Sequence, residues 1–162
     1  MIVTTYSGIY EEIFAGPDHS VIGPVSPSNV PVLVVEGDLA QLYLIDYCLR
    51  AKIPGARSTF KCSLATALLY VNQCSSKPGE FPQFMFLGSD LILSGGGLVA
   101  ALKKRYPNLL LIILCESQQA DQAYQAGANC LLPRPATLPD WEELFEKIEG
   151  FWFGVARWPL PQ

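Results

Sequence analysis

The chain has 162 residues, half of them hydrophobic, and a formal net charge of -4. That is about one domain's length, enough to bury roughly two-thirds of the surface the unfolded chain exposes. The acidic balance leaves no basic stripe, no apolar run reaches the ~20 residues of a membrane span, and MIVTTYSGIYEE lacks a secretory pattern; the expectation is a cytoplasmic protein with no nucleic acid and no membrane among its partners.

Residues 1–29 carry Gly8, Gly16, Gly23, Pro17, Pro24 and Pro27 among scattered apolar side chains, which predicts an extension, partly ordered or docked, in which no regular element runs far. The continuous apolar run 32–35 then reads as a strand buried on both faces. Asp38, with Gln41 three residues on, predicts a capping box opening a helix through Arg50, with Leu42, Ile45 and Leu49 as its inner stripe. A weaker strand over 57–60 and a helix over 63–72 follow, before the loop CSSKPGEFP breaks the pattern.

The third strand is placed at 84–87, and Leu98, Ala101 and Leu102 repeat at helical spacing toward Arg105. Between them GSDLILSGGG reads as a flexible, oddly apolar loop. Residues 109–114 form the most strand-like run and are expected in the middle of the sheet. A short helix over 118–126 stops at Gly127, a natural left-handed C-terminal residue, and 130–132 is the fifth strand. Thr137, followed by Pro139 and Asp140, starts the last helix, DWEELFEKIEGFW. The five strand and helix pairs predict an α/β domain over 30–150 with an aromatic tail over 151–162. Five cysteines (Cys48, Cys62, Cys74, Cys115, Cys130), odd in number and widely spaced among apolar residues, read as buried reduced thiols rather than zinc ligands.

The joint placement of VLVVEGD, a strand before Gly88, LLLIILCES and AGANCLLPRP resembles the receiver domain of two-component response regulators over about 30–152. The ending EKIEGFW is similar to the small single-domain receivers that partner bacterial phytochromes. The resemblance implies a flavodoxin-like, doubly wound five-stranded parallel sheet with helices on both faces. An active member holds magnesium on two acids after the first strand and on an acceptor aspartate, because hard oxygen ligands neutralise the incoming phosphoryl group.

Matched to that pattern, Glu36 fills the first acid position and Gly37 the second, so one carboxylate is missing. Asp38 is adjacent but reads better as the helix cap. Gly88 stands at the acceptor position and offers no nucleophile. Two other registers stay open. Sliding the strand by two residues brings in Asp90 at the cost of pushing Gly88 and Ser89 into the strand, and using 91–93 as the strand puts Gly95 at the acceptor point with too short a loop.

Cys115 stands for the switching hydroxyl, Leu131 for the rotating aromatic, and Arg134 for the lysine before Pro135, whose peptide is cis in the family. Losing these together implies a degenerate pocket, a pseudo-receiver with no catalytic residue, no metal and no cofactor. The Arg134 guanidinium is expected to pair with Glu36 in the vacated space.

Other features point to less. The run Gly95 to Gly97 lacks the GK[ST] or GxGxxG context of a phosphate loop and reads as a turn. A flavin is suggested by fold alone. His19 sits in the breaker-rich extension, where no nucleophilic triad is expected, and the adjacent pairs Glu11 with Glu12 and Glu142 with Glu143 cannot converge on a substrate. Phe151, Trp152, Phe153 and Trp158 predict an interface that buries the tail against a second chain, as a homodimer or against a signalling partner. The expected function is therefore a phosphorylation-independent interaction module, not an enzyme, of a bacterial and within that a cyanobacterial signalling system, with the fourth and fifth helices or the tail as contact surface. The alternative is a small-molecule sensor binding at the carboxyl ends of the strands through Glu36, Asp38 and Arg134.

Overall fold

The structure, a computed structural model, describes residues 29–153, without the side chains of Trp152 and Phe153. The expectation of a docked N-terminal extension lies outside the described residues, and so does Trp158. Strands β1 (Val30–Val35), β2 (Ala56–Lys61), β3 (Phe84–Gly88), β4 (Leu110–Cys115) and β5 (Cys130–Pro133) alternate with helices α1 (Leu39–Lys52), α2 (Leu64–Cys74), α3 (Asp90–Arg105), α4 (Ala120–Gln125) and α5 (Leu138–Ile148). All strand pairs are parallel, in the order β2-β1-β3-β4-β5. The winding reverses between β1 and β3, so their carboxyl ends flank the crevice where such sheets place their sites.

The period of two along the strands splits the core into two layers. Val32, Val34, Phe84, Phe86, Ile112 and Leu114 face α1 and α5, where Ile45, Leu49, Trp141 and Phe145 meet them. Leu33, Val35, Met85, Leu87, Leu111 and Ile113 face α2, α3 and α4. Both faces are thus covered, which is why β1, β3 and β4 read as unbroken apolar runs. β4 does not lie in the middle, however: β3 does, and β4 is second from the edge. Apolarity reports cover on both faces and carries no information on rank across the sheet.

Thr137 caps α5 by accepting from the Asp140 N–H at 3.3 Å, and Gly127 takes φ +98, both as expected. Three further expectations fail. The stretch read as a flexible loop is the first half of α3, which starts at Asp90 and runs through the glycines with a kink at Gly95 (φ -136, ψ 18). Leu64 of α2 packs where a Gly95 side chain would stand, so a contact between helices overrides the poor helix propensity of glycine. Cys62 is exposed, unlike the other four cysteines. The peptide before Pro135 is trans, since no cis bond occurs among the described residues.

Candidate functional site

Glu36 directly follows the last residue of β1, so its side chain stands just past the strand in the crevice beside β3, and it is only 2% exposed. A buried carboxylate needs charge compensation and hydrogen bonds. Glu36 has both: Oε2 accepts from Arg134 Nη1 at 3.2 Å, and Oε1 accepts from the Asp38 N–H at 3.1 Å. Arg134, 98 residues away in sequence, comes from the end of β5, and the same Nη1 donates to Gln41 Oε1 at 3.0 Å. Sequence and physical chemistry agree on the Glu36–Arg134 pair.

Asp38 is the cap of α1, its Oδ1 accepting from Ala40 N–H at 2.9 Å and Gln41 N–H at 3.4 Å. Only half of the expected capping box forms. Gln41 turns to Arg134 instead of back to the Asp38 N–H, because the guanidinium is a stronger, charged donor.

Gly88 closes β3 directly beneath this acid. A Cβ added there would stand 2.9 Å from Glu36 Cδ and 3.0 Å from Oε1, with Oε2 nearer still. The carboxylate of the first acid position therefore fills the space into which a side chain at residue 88 would project. Register settles the two open alternatives: Gly88 pairs with Leu114 as the last residue of β3, Asp90 is the first residue of α3, and Gly95 is deep inside that helix.

Beside Arg134 lies a cavity of about 190 Å³, lined by that residue together with Asp38, Gln41, Ser89, Asp90, Glu116 and Gln119. Gln41, Ser89, Glu116 and Gln119 were not expected there; Gln41 alone had a signal, as the presumed box residue, and it pointed elsewhere. Gly37 is exposed and supplies no ligand. Cys115 is buried, and burial pushes its thiol pKa up while the nearby Arg134 pulls it down. Leu131 packs, half-buried, on the α2, α3 and α4 side.

Magnesium does not fit these residues. Both oxygens of Glu36 are already engaged, residues 37 and 88 bring no donor, and among the described residues no three acid, histidine or cysteine side chains converge on one point. At the far end of the domain Phe151 packs half-buried against the α1 and α5 core, leaving only part of its ring for an outside contact.

No family model matches the chain, and no curated protein matches it either. Solved structures do. The response regulator RPA3017, from red-light signalling in R. palustris, is 21% identical with a TM-score of 0.68, over 80% of this chain and 98% of its own. The phosphorylated cyanobacterial phytochrome response regulator RcpA is 20% identical with a TM-score of 0.68, over 80% and 98%. The Mn(2+)-bound form of response regulator Rcp1 is 19% identical with a TM-score of 0.64, over 80% and 99%. At such identities the likeness is one of fold.

Proposed function

We infer that this chain, which carries the receiver-domain fold of response regulators, acts as a phosphorylation-independent contact module in bacterial two-component-type signalling and not as an enzyme. One observation carries the reading: the Glu36 carboxylate, held by Arg134, stands where a side chain on residue 88 would project. Acyl phosphate formation needs a free carboxylate with a metal beside it. Here the buried carboxylate is spent on an ion pair, so the crevice keeps one state and messages pass by contact.

An exposed stripe on α1 supports a contact role. Leu39, Tyr43 and Tyr47 recur every four residues on one helical face and are 59%, 69% and 50% exposed. The surface expected on the fourth and fifth helices is thinner: Tyr124 on α4 and Leu138 at the start of α5. The neighbours named for red-light and phytochrome signalling make a sensory pathway of that kind the place to seek the partner.

The test is incubation of the full chain with magnesium and acetyl phosphate, followed by intact mass and peptide mapping. No phosphoryl adduct is expected; one on Glu36 or Asp90 would overturn the reading. The proposal extends to a homodimer through the C-terminal aromatics, for which light scattering over a range of concentrations should give a dimer mass that Trp158→Ala lowers. A monomer at every concentration would exclude it.

A further inference from the structure

The two ends of the sheet carry opposite charge. Residues 53–57, 75–83 and 103–109, which lead into β2, β3 and β4 at the amino ends of the strands, hold the cations Arg57, Lys77, Lys103, Lys104 and Arg105 against the single acid Glu80. At the carboxyl ends Asp38, Asp90 and Glu116 line the cavity beside Arg134, whose charge Glu36 already meets. No run of the sequence shows the basic end, because three separate segments build it.

Printed contacts join these segments into one surface. Arg57 Nη2 donates to the Gly79 carbonyl at 2.6 Å and ties the start of β2 to the 75–83 loop. In that loop Phe81 packs on Tyr106 with centroids 5.1 Å apart, and the Arg105 guanidinium lies over the same tyrosine at 5.4 Å. Lys103 gives its ammonium to the carbonyls of Pro107 and Leu109, and Lys77 meets Glu80 at 3.6 Å. Arg57, Lys104 and Arg105 are exposed, and among the described residues none of the three has an acidic partner. The negative end of α3 favours the cations of its last turn, but it does not account for Arg57 or Lys77, which other segments bring to the same face.

We propose that this face at the amino ends of the strands docks a short acidic segment of a partner protein, with carboxylates on Arg57, Lys104 and Arg105 and an apolar side chain on the Phe81–Tyr106 pair. The proposal rests on the contact-module reading and gives it a surface and a partner chemistry. Charge selects the occupant. Three unneutralised cations around two half-buried rings match a segment of a few residues. A nucleic acid or a lipid surface would reach past this end onto the remainder of a chain with a net charge of -4, which repels it.

The experiment titrates the full chain into a fluorescein-labelled peptide EDDLEDE and reads anisotropy, with KRRLKRK and a short single-stranded RNA as the other probes. Saturable binding of the acidic peptide is expected, weakened about tenfold by Lys104→Glu with Arg105→Glu and unchanged by Arg50→Glu with Lys147→Glu on α1 and α5. Lys104→Gln with Arg105→Gln, which only removes the charges, should weaken it about threefold, and unchanged circular dichroism shows that each variant is folded. No saturable binding, equal binding of KRRLKRK, tighter binding of the RNA, or indifference to both charge changes in a folded chain would each overturn the proposal. So would binding that emerges only after Glu11→Gln, Glu12→Gln and Asp18→Asn, which would give the face to the chain itself. A phosphoryl adduct with peptide binding intact would strike the phosphorylation-independent reading alone, whereas failure of the peptide without an adduct strikes only this surface.

Discussion

Gly88→Ala places a methyl group against the buried carboxylate of Glu36. Its Cβ would lie 2.9 Å from Glu36 Cδ and 3.0 Å from Oε1, while ordinary carbon contacts need about 3.5 Å or more. Glu36 cannot retreat freely, because one oxygen is held by Arg134 at 3.2 Å and the other by the Asp38 N–H at 3.1 Å. Two responses are open. If the strands yield, overpacking costs about 1–3 kcal/mol. If the carboxylate swings away, the buried pair is broken, and that costs about 3–5 kcal/mol. The cheaper route dominates, so a loss of about 2–3 kcal/mol is expected in urea unfolding with an unchanged slope.

The control is the same change in a Glu36→Ala background. With no carboxylate to strike, the added methyl should cost little, and the cycle should show a coupling of about 2 kcal/mol. A loss below about 0.5 kcal/mol from Gly88→Ala alone, or additivity with Glu36→Ala, would refute the claim that Glu36 fills the acceptor's space.

Asp38→Ala should cost about 1 kcal/mol by removing the cap of α1, and Asp38→Asn much less, both read from urea midpoints; equal losses would point away from a capping role. Burial raises the Cys130 thiol pKa from 9.0 to about 11. Between those values the unfolded chain has released a proton that the folded chain retains, so this thiol stabilises the fold fully below pH 9 and progressively less as pH rises toward 11. Urea midpoints at pH 8, 9 and 10 should therefore fall less steeply for Cys130→Ala than for the parent chain, and equal slopes would contradict the burial argument.

Much of the candidate site was legible because its positions are set by short-range rules. A buried strand ending in an acid puts Glu36 in the crevice, a side-chain oxygen before a helix makes Asp38 a cap, and a glycine at residue 88 denies the site a nucleophile wherever the rest of the chain lies. Even the Arg134 pair followed from one rule, that a buried acid with its metal partners gone must find a cation. Gln41 shows where such reading stops. Its spacing from Asp38 fits a capping box, yet a guanidinium 93 residues away takes its carboxamide oxygen.

The remaining decisions belong to surfaces that meet only after folding. No local pattern says that the Glu36 carboxylate occupies the space of a residue 88 side chain, because the closeness of β1 and β3 comes from the winding of the sheet. The glycine run looked like a turn because helix propensity is counted residue by residue, whereas Leu64 from another helix sets the shape of α3 at Gly95. Strand apolarity marked which segments lie inside but not their order, since burial on two faces is the same for the second strand from an edge as for the central one. Side chain chemistry, in short, specifies what each segment needs nearby, and the packing of distant segments specifies which neighbour supplies it.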